Sequence, residues 1–135
     1  MFFVGFSAST LPRFIASSIF SKVAADCLFC QIIRKERAAE FVFEDQSIVV
    51  FKDAYPHAPV HLLIVPKKHI RSVNDLVDED RNIISEMIFR AKEIAREFGV
   101  NTSGYRLSFN VERGAGQVIF HLHLHLTGGW TPHTD

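Results

Sequence analysis

Three histidines stand at alternate positions near the end of the chain, His121, His123 and His125, within the run IFHLHLHLTGG at 119 to 129. On a β-strand a period of two places all three imidazoles on one face and Phe120, Leu122, Leu124 and Leu126 on the other. Neighbouring rings then sit roughly 6 to 7 Å apart at their backbones. A lone histidine in such a setting is most often a half-buried polar residue, but three in alternation repel one another when protonated. Metal binding, phosphate binding or nucleophilic chemistry would each justify holding them together. Just before them, Gly114, Ala115, Gly116 and Gln117 make a glycine-rich turn that joins two strands and whose backbone N–H groups can converge on an anion.

A second pair of chemical groups is Cys27 and Cys30, at the C-x-x-C spacing used for metal binding or redox work. Structural zinc takes four ligands, so two histidines would have to complete a Cys2His2 set, with His61 and one of the three alternating histidines as candidates. Two structural thiols without a metal are the alternative. A redox pair fits less well, because Leu28 and Phe29 between the thiols are bulky and no strand leads into the motif. Haem attachment is excluded because Gln31, not histidine, follows Cys30. Two cysteines are too few for a disulfide-stapled secreted scaffold, which points to a reducing compartment.

These groups need elements to position them. FVFED at 41 to 45 and SIVVFKD at 47 to 53 read as a β-hairpin, and HLLIVP at 61 to 66 as a continuously apolar, central strand. Between 78 and 98, Ile83, Ile84, Met87, Ile88, Ala91, Ile94, Ala95 and Phe98 share one helical face, with Asp78 as N-cap and Gly99 as the stop. YRLSFNVE at 105 to 112 alternates as a strand, and the histidine run follows as the last one. CLFCQIIR at 27 to 34 suits a short helix or turn. One long helix set among antiparallel strands predicts an α+β domain with the helix packed on one side of a single sheet.

The 135 residues are 47% hydrophobic and 22% charged, the composition of one globular domain. Fifteen basic residues balance fifteen acidic ones, so the chain has no basic field for a phosphate backbone, and nucleic acid is not an expected partner. No apolar run reaches the roughly 20 residues of a membrane span, so no membrane partner is expected either. All acidic residues lie at or after Asp26, whereas residues 1 to 25 carry only Arg13 and Lys22 and are rich in serine. That stretch reads as a poorly ordered leader or an organelle transit peptide, leaving a domain at 26 to 135. The cytoplasm is the expected location, or the mitochondrion if the leader is cleaved.

FHLHLHLTGG at 120 to 129, together with HAPVHLLIVPKKHI at 57 to 70, resembles the histidine triad (HIT) family of nucleotide hydrolases and transferases. CLFCQIIRKE, FEDQSIVVFKDAYPHAP, GYRLSFN and GAGQVIFHLHLHL are similar to its Hint branch, the purine nucleoside phosphoramidases, over residues 26 to 130. The resemblance implies a five-stranded antiparallel sheet with one long helix, a homodimer, and hydrolysis of purine nucleoside 5'-phosphoramidates or aminoacyl-adenylates. His123 would be the nucleophile, forming a nucleotidyl-histidine, and His125 would bond the phosphate and assist the leaving group. Asn110 and the Gly116 to Val118 backbone would hold the phosphate, the Gln117 side chain would lie near the leaving group, and Asp53 would bind the ribose. Phe29, Ile32, Phe51 and Ala54 would wall the base pocket. A structural zinc would be held by Cys27, Cys30, His61 and His121, with no organic cofactor. Lys67, Lys68 and His69 also match a family motif, but they read as a charged loop end and are given no chemistry.

Three features depart from the pattern. Val118 replaces a serine common in Hint proteins and so removes one hydrogen bond. Ala54 leaves more room beside the base, and the tail after Trp130 is short, with His133 in it. A metal-binding protein using His121, His123 and His125 together, or a nucleotide-binding dimer without turnover, are the competing readings.

Overall fold

The computed structural model describes residues 26–131, so the expectations for residues 1 to 25 and for His133 lie outside the described residues. The chain divides after Arg37 into two units. In the first, the short helix α1 (Leu28–Ile33) forms where the sequence predicts one, with Phe29, Cys30 and Ile32 buried. Cys27 is its N-cap, and its Sγ accepts the Cys30 N–H at 3.3 Å.

The second unit holds β1 (Phe41–Glu44), β2 (Ile48–Lys52), β3 (Val60–Pro66), the long helix α2 (Arg81–Glu97), β4 (Tyr105–Ser108) and β5 (Leu124–Gly128). All pairings are antiparallel, in the order β1-β2-β3-β5-β4, which makes this the five-stranded α+β fold expected from the sequence. Central β2 and β3 are apolar on both faces and buried, whereas the edges β1 and β4 are short. Alternation sorts the side chains. Ile48, Val50, Leu62, Ile64, Leu124 and Leu126 join Met87, Ala91, Ile94 and Ala95 of α2 in one core. His61, Leu63, Val65 and His125 therefore point to the sheet face away from the helix.

Four details differ from the sequence expectation. Helix α2 starts at Arg81 because Asp78–Asp80 form a 3-10 turn. The Asp78 cap is replaced by Asp80, whose carboxylate accepts the Val77 N–H at 3.0 Å and the Lys68 ammonium at 2.7 Å. Ile88 lies on the rim of the helical face and stays 45% exposed, as does Phe89 at 64%. The last two strands are also shorter than their alternation implies, ending at Ser108 and starting at Leu124. The residues between them fold into a loop that bonds to itself, so His121 and His123 precede the strand and only His125 lies on it.

Leu126 is fully buried at the centre of the core. Leu126→Ala is expected to lower unfolding free energy by about 2–5 kcal/mol through lost burial and the cavity left behind. Urea unfolding checks this, and a loss under about 1 kcal/mol would contradict its central placement.

Candidate active site

The antiparallel register brings the histidines of two strands together. His125 lies opposite Leu63, so His61, two residues along β3, is its diagonal neighbour on the same face. Their rings are 5.2 Å apart, and His61 Nε2 meets His125 Nδ1 at 3.0 Å. His123 stands at the end of the approach to β5, its ring 4.9 Å from that of His125.

The partners of each ring decide which nitrogen carries the proton. A neutral imidazole has one N–H donor and one acceptor nitrogen. His57 N–H donates to His61 Nδ1 at 3.0 Å, so His61 is protonated on Nε2. That N–H points at His125 Nδ1, with the Asp53 carboxylate also 3.3 Å away. His125 Nδ1 must then accept, which puts the His125 proton on Nε2. This Nε2 is buried and has no hydrogen-bond partner among the described residues. His123 Nδ1 faces the His121 carbonyl at 2.7 Å and donates to it, leaving Nε2 as the unprotonated nitrogen. The site thus presents a lone pair on His123 beside an N–H on His125, the complementary pair needed to attack a phosphorus and to bond one of its oxygens.

Burial keeps the rings neutral. Desolvation is the main cause that lowers His61 and His123, and it pushes His125 down to about 4, with His123 and His61 adding repulsion. Asp53 opposes this only weakly. His121 is similarly held down to about 4 by burial. Its Nε2 donates to the Pro66 carbonyl at 2.8 Å, so its Nδ1 is unprotonated, and that atom faces Nδ1 of His69 at 3.2 Å.

Of the expected zinc ligands, His61 sits in a hydrogen-bonded group with Asp53 and His125, whereas His121 meets His69. His61 Nδ1 accepts the His57 N–H, so in the neutral ring its proton sits on Nε2. The same reasoning makes Asp53, His61 and His125 a hydrogen-bonded relay, although their donor atoms lie within 4.8 Å of one another. The histidine whose Nδ1 converges with that of His121 is His69, which the sequence reading left without chemistry. Its signal was position: His69 follows Pro66 by three residues, and Pro66 supplies the carbonyl that orients His121. In the N-terminal unit, burial above all, with the Cys27 thiol adding to it, pushes the Cys30 thiol up to about 12, the opposite of a reactive redox cysteine.

The side chain of Gln117 is engaged within the turn. Its amide is buried and used within the loop: Oε1 accepts the Glu112 N–H at 2.9 Å, and Nε2 donates to the Arg71 and Ile119 carbonyls at 2.9 and 3.1 Å. Both amide protons are thus occupied, and Gln117 shapes the turn. Gly116 takes φ +91°, a left-handed conformation that glycine tolerates, and Asn110 Nδ2 lies 3.9 Å from where a Cβ would stand. Val118 is 76% exposed. Asp53 Oδ1 accepts the Tyr55 N–H at 2.8 Å, Phe51 is buried edge-on to Phe41, and Ala54 is exposed beside them.

The depressed histidine pKa has a stability consequence. In the unfolded chain a histidine protonates near 6.5, whereas folded His125 resists until about 4. The stability it allows is complete above pH 6.5, declines as pH falls from 6.5 to about 4, and levels off below. Urea unfolding across pH 4 to 7 is expected to show this decline, with a shallower slope in His125→Asn. An equal slope in both proteins would contradict the buried neutral state.

The model of the family described as "Scavenger mRNA decapping enzyme C-term binding" matches residues 26–132. Among curated relatives, the purine nucleoside phosphoramidase of Escherichia coli (strain K12) is 39% identical over 107 residues, covering 79% of this chain and 90% of that protein. The solved HIT family hydrolase from Legionella pneumophila Philadelphia 1 superposes with a TM-score of 0.77 at 49% identity, over 78% of this chain and 95% of that one. A zinc-bound histidine triad family protein from Mycobacterium smegmatis superposes with a TM-score of 0.68 at 25% identity, over 83% of this chain and 86% of that one. With the alternating histidines held at the end of this sheet, and with relatives of this likeness matched over nearly their whole length, the chain belongs to the histidine triad family of hydrolases.

Proposed function

We propose that this chain hydrolyses the P–N bond of purine nucleoside 5'-phosphoramidates, and the related mixed anhydride of aminoacyl-adenylates, releasing the nucleoside monophosphate. The observation that carries this reading is the unprotonated Nε2 of His123 beside the unpartnered N–H of His125. The named activity of the Escherichia coli relative supports it. The lone pair of His123 Nε2 attacks the α-phosphorus, and the P–N bond breaks as the amine departs with a proton taken from water. A nucleotidyl-histidine remains, its positive charge shared with Nδ1–H and the His121 carbonyl. Water then displaces Nε2 from phosphorus, and the histidine returns to its starting tautomer. His125 donates to a phosphoryl oxygen throughout, and the Val118 N–H with Asn110 holds the others, the N–H groups of Gly116 and Gln117 being used within the turn. Asp53 takes the ribose hydroxyls, and Phe29, Ile32, Phe51 and Ala54 contact the purine.

Zinc, in this reading, is structural. Two thiolates, Cys27 and Cys30, with Nδ1 of His69 and His121 would supply the four donors of a Cys2His2 set, and His121 has the tautomer such a role requires. When bound, the ion supplies a brace and no Lewis acid to the reaction. The zinc-bound Mycobacterium smegmatis relative supports its presence. A homodimer is supported by the place of β4 at the edge of the sheet among the described residues and by the exposed Ile88 and Phe89 of α2. Among the described residues no helix is long and apolar enough to cross a membrane. Paired zinc-ligand thiols and a nucleotide substrate suit the reducing cytoplasm.

Steady-state hydrolysis of adenosine 5'-phosphoramidate tests the activity. Wild type is expected to turn over, and His123→Ala to lose on the order of a thousandfold or more in kcat while still binding AMP. Tight AMP binding with no turnover by wild type would make the protein a non-catalytic nucleotide binder. For the metal, about one zinc per chain is expected by elemental analysis, lost in the Cys27→Ser/Cys30→Ser double variant and in His69→Ala but kept in His61→Ala. Loss with His61→Ala and retention with His69→Ala would restore the original ligand set.

A further inference from the structure

Glu112 has φ +71° and ψ 167°, a backbone region that side-chain-bearing residues rarely enter and that is left almost entirely to glycine. It opens the turn that, in the proposed function, faces the phosphate. Such strain persists only when the surroundings over-determine it, and here they do. The Arg71 guanidinium donates to both carboxylate oxygens of Glu112, at 2.6 and 2.9 Å, and Asn74 Nδ2 adds a third bond at 3.2 Å. Glu112 N–H donates to Gln117, and the Glu112 carbonyl accepts the N–H groups of Ala115 and Gln117. The Gln117 amide in turn donates to the Arg71 carbonyl, so residue 71 is tied to the turn at both its side chain and its backbone. One residue earlier, the Ile70 carbonyl accepts the Leu122 N–H at 2.6 Å, between two of the histidines.

We propose that Glu112 is a positioning residue: clamped by Arg71 and Asn74, it forces the chain through a glycine-only conformation so that the turn at 113–118, whose Ala115, Gly116 and Gln117 N–H groups bond within it, is preset in shape for the substrate's phosphate. Glycine would adopt the conformation but could not be clamped, and alanine would be neither clamped nor relaxed. Glutamate is the side chain that both reaches Arg71 and closes the turn. The bidentate pair also holds the Glu112 carboxyl down to about 2, so the clamp stays ionised at any pH at which the imidazoles are neutral. Phe120 stacks under the Arg71 guanidinium at 4.6 Å, which fixes the plane of the fork.

The inference rests on the phosphate reading of the turn but is testable without turnover. Wild type, Glu112→Ala, Glu112→Gly and Arg71→Met would be compared by amide hydrogen exchange over residues 113–118, AMP affinity and phosphoramidate kinetics, with thermal melts confirming folding. Glu112→Ala is expected to speed exchange in the turn and to weaken AMP by roughly tenfold or more, raising KM and leaving the pH profile of kcat in place. Glu112→Gly should lose less than Glu112→Ala, and Arg71→Met should behave like Glu112→Ala. Wild-type exchange and AMP affinity in Glu112→Ala, or equal losses in the alanine and glycine variants, would overturn the clamp. A wild type that binds AMP without hydrolysing it would instead refute the hydrolase reading and leave the exchange comparison decisive for the clamp.

Discussion

The site depends on one-way hydrogen bonds between neutral imidazoles. A backbone N–H at His57 and a backbone carbonyl at His121 are fixed in direction, because a main-chain donor cannot become an acceptor. From His57 the direction passes through His61 to His125, and from the His121 carbonyl it sets His123. The chemistry of the two site-facing nitrogens is thus decided by main-chain atoms that side-chain titration does not alter. Burial then completes the arrangement by holding the rings below their usual pKa, so that the tautomers and not their charges define the site.

The sheet supplies the distances. Central β3 contributes His61 and, at its end, the Pro66 carbonyl that orients His121. Strand β5 contributes His125 on the face turned away from α2, while its leucines fill the helix side. The loop before β5 is anchored to residues 70 and 71 just beyond β3, so one short stretch of chain holds both the glycine-rich turn and the approach to the histidines. Strain at Glu112 is tolerable because that anchoring is redundant.

Much of this was legible in the sequence. The five strands, the helix and the sheet order's central strand follow from apolar periodicity, and the alternation of His121, His123 and His125 announced the chemistry. What periodicity could not show was where the ladder stops. The alternation of residues 119 to 123 is that of a strand, yet these residues join no strand ladder and Leu122 N–H bonds instead to the Ile70 carbonyl, because Glu112 to Gln117 close on themselves and withdraw the partner strand after Ser108. His69 was passed over because a histidine after two lysines looks like a solvated loop, and only the Pro66 carbonyl on His121 shows which ring it meets. For Gln117, spacing reports nearness to the histidine run but not the direction of the amide, which bonds to the Arg71 and Ile119 carbonyls.

The central claim is the pair of tautomers, and long-range nitrogen–proton NMR correlation of the histidine rings at neutral pH reads them directly. The account predicts His123 protonated on Nδ1 with Nε2 unprotonated, and His61 and His125 protonated on Nε2. Protonation of His123 on Nε2, or of His125 on Nδ1, would contradict it.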